Sequence, residues 1–437
     1  MLRRRNGRPR AARRALPTYY GWRIVGFASI TLMLTGPGQT IGMSVFVEEL
    51  VVELDITRSR ISFAYLIATL AGAFTLSWFG RSLDRFGIRT AMTGISIAFA
   101  IAIASLAGVV GFVSMVAAFT GLRALGQGAL ALTATTSVSL WFEQRRGMAV
   151  GIVTAVGAGL TALVPILFTL VIDLVGWRSA LLLTAPLVGF LLVLIAQRGM
   201  RDGPHEFGLG LDGRTLSPQE SASAQNSEST PARGGAGPTQ VSGRSGREAL
   251  RTPMFWALAL VFATPSMIGT GLIFHQLSVL GEQGLTATQA AAMFLPYSLV
   301  VMAATFLTGA LTDRIGSRAL LALPMLTLMG AMQLVSHITP GALVLLYAVL
   351  LGSTSGAARA LEPALMPKFF GLAHIGEIRG RIGSIKVGAS ALGPFALALG
   401  FDQFGAYGTA LSVLMVLPAA GLLAVLVVGR PAPASAA

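Results

Sequence analysis

Gly80-Arg-Ser-Leu-Asp84-Arg85-Phe-Gly87-Ile-Arg89 lies between two long apolar stretches, and Gly309-Ala-Leu-Thr-Asp313-Arg314-Ile-Gly316-Ser-Arg318 repeats it further along the chain. The two aspartates are 229 residues apart, from 84 to 313. Pro165 and Pro394 stand at the same offset, and so do the loop residues Asp173 and Asp402. A repeat of this length in an apolar chain implies two similar helical halves. Secondary transporters are built in that way, with the solute bound near the bilayer midplane between the halves.

Composition points to lipid. Of 437 residues, 54% are hydrophobic and 11% are charged, with a mean hydropathy of +0.73; a soluble chain carries about 25% charged residues. A span needs about 20 apolar residues. The first is expected from about Ile24 to Val47, too long a run for a signal peptide despite Arg13-Arg14 before it. Later spans are expected at 61–79, 91–111, 114–138, 148–172, 178–197, 254–280, 287–308, 319–337, 341–365, 382–401 and 408–428. The predicted fold is an all-α integral membrane protein of about twelve helices in two pseudo-symmetric six-helix bundles. A basic tail (1–23) precedes the first bundle (24–197), a linker (198–252) follows it, and the second bundle (253–428) ends in a short tail (429–437). Within the linker, Ser217–Gly246 is rich in Ser, Gly, Pro and Gln and offers little apolar surface to bury, so it is read as flexible.

The net charge of +14 and isoelectric point near 11.3 raise the question of nucleic acid. The charge sits instead in the N-terminal tail and in short loops: Arg81, Arg85 and Arg89; Arg145 and Arg146; Arg314 and Arg318; Lys368, Arg379 and Arg381. That is the positive-inside pattern, which places both termini in the cytoplasm and leaves no call for nucleic acid. Cysteine is absent, which excludes disulfides and thiolate chemistry. With four histidines and few acids in the helices, neither metal nor cofactor is expected. No Gly-rich phosphate loop is present, so ATP does not drive the protein. No catalytic constellation is visible, so an enzyme is not expected.

The paired motifs carry the clearest mechanism. Gly80, Gly87, Gly309 and Gly316 permit tight turns and close approach, while Asp84 and Asp313 can pair with arginine or with a helix N-terminus. With Arg85, Arg89, Arg314 and Arg318 they are read as a conformational latch, made in one state and broken in another. A purely structural loop would explain one copy but not two.

These motifs resemble the loop signature of the major facilitator superfamily. Tyr20-Gly-Trp-Arg23, Leu122-Arg123-Ala-Leu-Gly126-Gln127-Gly128, Trp141-Phe142-Glu-Gln-Arg145-Arg146-Gly147, Arg201-Asp-Gly-Pro204 and Phe370-Gly371-Leu-Ala-His374 are similar to its bacterial monocarboxylate and oxalate–formate branch. The resemblance implies a multi-pass protein of the bacterial plasma membrane, working as a monomer. It would carry a small organic anion by alternating access, coupled to a proton or a counter-anion.

Ionisable residues inside spans are costly to insert and are therefore functional candidates. Arg123 and Gln127 share one face of span four, and Arg123 is open to gating, structural pairing or substrate contact. Arg359 and Glu362, three apart in span ten, are expected to neutralise each other, with Glu362 also a proton-coupling candidate. His275, beside Gln276 in span seven, is either a proton-responsive group or a polar residue near the outer interface. Lys386, early in span eleven, is either a snorkelling lysine or, by resemblance to the oxalate–formate carriers, the ligand of a substrate carboxylate. Carriers of that branch also present an arginine from span eight; this chain has Gln289 and Tyr297 there instead. Gly151, Gly157 and Gly159 in span five, and Gly388 and Gly393 in span eleven, are expected at close helix crossings. An exporter of drugs or secondary metabolites is the alternative within transport. A non-transporting membrane receptor is the alternative outside it.

Overall fold

The protein is described here by a computed structural model covering residues 19–204, 210–213, 245–312, 314–371 and 374–427. Among these, eleven helical stretches are long and apolar enough to cross a membrane. The first span, α1 (Tyr20–Leu34), is shorter because Gly36-Pro37-Gly38 replaces the helix with a 3-10 turn. Short helical pieces then carry the chain to Leu54, so the single span expected at 24–47 is instead a helix and a series of short pieces running from Tyr20 to Leu54. The break brings backbone against backbone: a Cβ on Gly126 would lie 3.1 Å from the Gly38 Cα and 2.6 Å from the Phe99 ring.

The helical run Arg58–Ala107 is two spans, α2 (58–86) and α3 (88–107), divided at Gly87 with φ +74° and ψ 165°. α4 (Phe112–Ser139), α5 (Arg146–Val175) and α6 (Trp177–Gly199) complete the first bundle. The second comprises α7 (Pro253–Phe274), α8 (Ala287–Leu311), α9 (Ser317–His337), α10 (Ala342–Phe370), α11 (Ile375–Phe404) and α12 (Tyr407–Val427). α1 packs on α5 as α7 packs on α11, which is the pairing a repeat requires. Across the halves, α2 runs along α11. Phe74, Val113, Leu174, Phe190 and Phe306 stand exposed on the outside, as lipid-facing side chains should.

Of the glycines expected at crossings, Gly157 meets Leu32 of α1, and Gly393 meets the Met267 backbone of α7. Gly151, Gly159 and Gly388 face open space, so spacing alone overstated them. The two prolines at matching depth differ as well. α5 breaks at Ala162–Leu163 just before Pro165, whereas α11 runs on through Pro394.

Both ends of the linker stretch 198–252 are docked rather than free. Asp202 Oδ1 accepts the Arg89 backbone N–H at 3.2 Å, filling the space beside Gly87 at the start of α3. Asp212 Oδ2 accepts the backbone N–H groups of Glu143 and Gln144, at 3.1 and 2.8 Å, just before α5. Burial works to raise the Asp212 pKa, but the N–H donors of Gln144 and Glu143 outweigh it and hold the carboxyl below its ordinary range. At the far end, Ser245 and Glu248 form a capping box on the short helix Gly246–Leu250, whose Gly246 carbonyl accepts from Arg381 at 2.7 Å. Residues 214–244 between these anchors, the tails 1–18 and 428–437, and Asp313 lie outside the described residues.

Candidate functional site

The two halves are bonded to each other at one end of the molecule. Glu48, beyond the break in α1, pairs with Arg58 at the start of α2 and accepts from Ser278 of the second half. The Ser59 backbone N–H donates to Asp402 at 3.3 Å, and the Arg58 guanidinium lies 4.6 Å from the centre of the Phe401 ring. Just below, Tyr65 packs on Phe274 at 4.5 Å and Phe63 on Phe395 at 5.4 Å. Among the described residues, the hydrogen bonds and ion pairs joining the halves all gather here.

His275 belongs to this closed end. It is fully buried where α7 stops, with Nε2 3.0 Å from Ser62 Oγ and 3.1 Å from the Pro394 carbonyl oxygen. Nδ1 is 3.3 Å from the Tyr407 hydroxyl. A carbonyl only accepts, so a neutral ring satisfying these partners carries its proton on Nε2 and accepts from Tyr407 at Nδ1. Gln276 is also buried and donates to the Ala290 carbonyl at 3.0 Å, pinning the start of α8. Neither residue lines the cavity below, although both were expected in the substrate site. The helix ends one residue before His275, a break that apolar periodicity does not signal.

Beneath this layer, toward the end where the described residues begin at Tyr19 and finish at Val427, lies a cavity between the halves. On α7 its lining residues, Pro265 to Ile273, precede Phe274; on α2, Thr69 to Leu76 follow Tyr65. Its main lobe is about 360 Å³, with side lobes of about 190 and 140 Å³ that share Tyr297, Arg359 and Gln127 with it. Nine of the fourteen residues around the main lobe carry polar side chains, set among apolar ones such as Leu32, Ile41 and Ile273.

Three cations reach this space. Arg123 opens a π-helical stretch, Arg123–Leu130, a distortion frequent at functional sites. Its buried guanidinium donates to Thr69 at 3.2 Å, Thr40 at 3.3 Å and Gln127, and lies 4.8 Å from the Tyr65 ring centre. All of these partners are neutral. Lys386 lines the second lobe and is ion-paired with Glu362 of α10. The Arg359–Glu362 pair expected from their spacing therefore does not form: Lys386, reaching from α11, holds the carboxylate. Arg359 is left exposed to two lobes, with no hydrogen-bond or ion-pair partner among the described residues. Its i,i+3 neighbour masked this in the sequence, because spacing along a helix does not say which neighbouring helix competes. Tyr297 lines both lobes and shares a 3.0 Å hydrogen bond with Ser355. Gln289 is instead committed to a capping box with Thr286.

The loop motifs lie at the opposite end from the closed layer. Asp84, Arg85, Arg314 and Arg318 are exposed, and Asp84 makes no ion pair among the described residues. Arg89 donates through Nε to Gln197 at 3.2 Å. The acid that caps this turn is Asp202, from a segment that composition assigned to the linker. Lys368 donates to the Thr312 carbonyl at 3.0 Å, next to the second copy of the motif.

A family model described as Major Facilitator Superfamily matches residues 28–394. Among solved structures, a bacterial homolog of the human lysosomal transporter Spinster, in an inward-facing and occupied conformation, aligns with a TM-score of 0.66 at 15% identity. That alignment covers 95% of this chain and 98% of the other. The xylose transporter XylE from E. coli, in an inward open conformation, aligns at 0.68 and 16% identity over 95% of this chain and 97% of its own. At these identities the likeness is one of fold. No curated protein gives a significant match.

Proposed function

The chain belongs to the Major Facilitator Superfamily and is a multi-pass secondary transporter of a small solute, and from that premise we propose that it carries an organic anion by alternating access. The observation that supports this reading is the charge of the cavity: Arg123, Arg359 and Lys386 stand against one carboxylate, Glu362. Excess cation in a low-dielectric space attracts an anion strongly. The lysine on span eleven supports kinship with the monocarboxylate and oxalate–formate branch.

Glu362 and Lys386 form the coupling element in this reading. A proton on Glu362 frees the Lys386 ammonium and raises the positive charge beside Arg359, so proton and anion each tighten binding of the other. Exchange for a counter-anion uses the same cationic cavity. The arginine-rich loops support a cytoplasmic position for the Asp84 end and both termini in a bacterial plasma membrane, and in this reading the bonded layer around His275 is the closed outer gate. Asp84, Asp313 and their arginines are the latch of the opposite face, which forms when that face closes. One chain encloses the cavity from both halves, so the working unit is the monomer.

Uptake of radiolabelled small carboxylates into proteoliposomes tests this. Accumulation of a carboxylate that rises with an inwardly directed proton gradient, or with a preloaded anion, is expected. Carriage of neutral solutes with indifference to every carboxylate would overturn it.

A further inference from the structure

Resting on the organic-anion reading, we propose that the substrate is a sugar-sized polyhydroxy monocarboxylate, with its carboxylate on Arg359 and its hydroxyls read by Gln127 and the neighbouring hydroxyl side chains.

The choice of Arg359 follows from where the other cations are engaged. Arg123 borders only the smallest lobe, is 6% exposed and is engaged as a donor to Thr69, Thr40 and Gln127. Lys386 is held by Glu362. Among the described residues, Arg359 alone presents an unengaged guanidinium to the main lobe, and its planar fork of donors matches one carboxylate in bidentate fashion. One available cation fits one anionic group.

The rest of the molecule's recognition comes from neutral groups. Arg123 has only donors, so it must take the oxygen of the Gln127 amide. That fixes the orientation of Gln127 and leaves its two N–H donors for the cavity that it lines. Thr154 and Thr161 donate their hydroxyl protons to the Val150 and Gly157 carbonyls, which leaves oxygen lone pairs to accept. Thr270 and Ser298 add hydroxyls that are both donors and acceptors from the second half. A wall of fixed donors and acceptors suits a ligand that carries hydroxyls along its chain and penalises one that leaves them unpaired. The volume of about 360 Å³ lies within the usual range of small-molecule sites, roughly 300–1,000 Å³.

The test uses the purified full-length protein in nanodiscs and three six-carbon probes: gluconate, glucose and hexanoate. Saturable gluconate binding is expected, with glucose and hexanoate each at least tenfold weaker. Arg359→Gln should weaken gluconate more than tenfold, and Arg359→Lys should recover part of the loss. Gln127→Leu should narrow the preference for gluconate over hexanoate by about tenfold while hexanoate binding holds. Hexanoate binding as tightly as gluconate means that the polar wall merely holds water, which ends the polyhydroxy assignment but leaves the anion carrier standing. Glucose binding as tightly as gluconate ends both. Unchanged gluconate affinity in an Arg359→Gln protein with wild-type melting temperature overturns the role of Arg359. Absence of saturable gluconate binding overturns the proposal as a whole, and carboxylate uptake in proteoliposomes then decides whether the broader reading survives.

Discussion

Glu362 is mostly buried, and Lys386 is the residue that neutralises it, so each makes the other tolerable in a poorly solvated wall. Removing one partner strands the other charge. Breaking a fully buried pair costs about 3–5 kcal/mol and an exposed one about 0–1; with side-chain exposures of 29% and 13% this pair falls between. Lys386→Gln and Glu362→Gln should each lower the melting temperature of the detergent-solubilised protein, by about 2 kcal/mol of stability. The double variant should melt closer to wild type than either single one. It should also keep substrate binding but lose the response of uptake to a proton gradient. Additive losses in the double variant would show that the two charges do not depend on each other. Much of this site was legible in the sequence as intramembrane charge. Arg123, Gln127, Tyr297 and Lys386 were each named from their place in a span, and all four line the cavity. The pairing was not legible, because Arg359 is near Glu362 along one helix while Lys386 reaches it from another.

At the scale of the helix pair, α7 and α11 touch backbone to backbone. A Cβ at Gly393 would overlap the Met267 carbonyl, and one at Gly271 would lie 2.9 Å from the Gly393 carbonyl oxygen. Both obstacles are backbone, so relief requires the helices to separate and His275 to lose the Pro394 carbonyl beside the crossing. Overpacking of this kind typically costs about 1–3 kcal/mol, occasionally more. Gly393→Ala should therefore cost at least about 2 kcal/mol, read as a fall in melting temperature and a smaller monodisperse fraction in size exclusion. Gly388→Ala, on the same helix but facing open space, should be neutral or slightly stabilising, since alanine is the better helix former. Equal behaviour of the two would mean that the crossing yields easily. The positions of eleven spans were readable from apolar length, whereas the break in α1 and the end of α7 at His275 depend on contacts with other helices. Glycine spacing likewise marks candidates for a crossing without saying which face meets a neighbour.

Across the whole molecule, the bonds between halves decide which face of the cavity is closed. Ser278 donates to Glu48, the Ser59 N–H donates to Asp402, and Ser62 meets His275, each joining the first half to the second. Two of these involve a carboxylate, and hydrogen bonds to charged groups are worth about 1.5–3 kcal/mol each when intact. Opening at this end must break all of them, so they stabilise only the closed arrangement. A Ser278→Ala/Asp402→Ala variant leaves Arg58 beside Glu48 but removes both carboxylate links, and should favour the open state by roughly 100- to 10,000-fold. The chain contains no cysteine, so spin labels can be placed without further change. Cysteines introduced at the exposed Val52 and Phe404 put one label on each half near this layer. Double electron–electron resonance should resolve a longer distance that is rare in the labelled parent and populated in the variant. The Ser62–His275 contact and the Tyr65–Phe274 and Phe63–Phe395 packing remain in the variant, so partial rather than complete conversion is the expected result. A distance distribution identical to the parent's would mean that the aromatic layer alone holds this face shut and that the carboxylates serve only to satisfy their own burial.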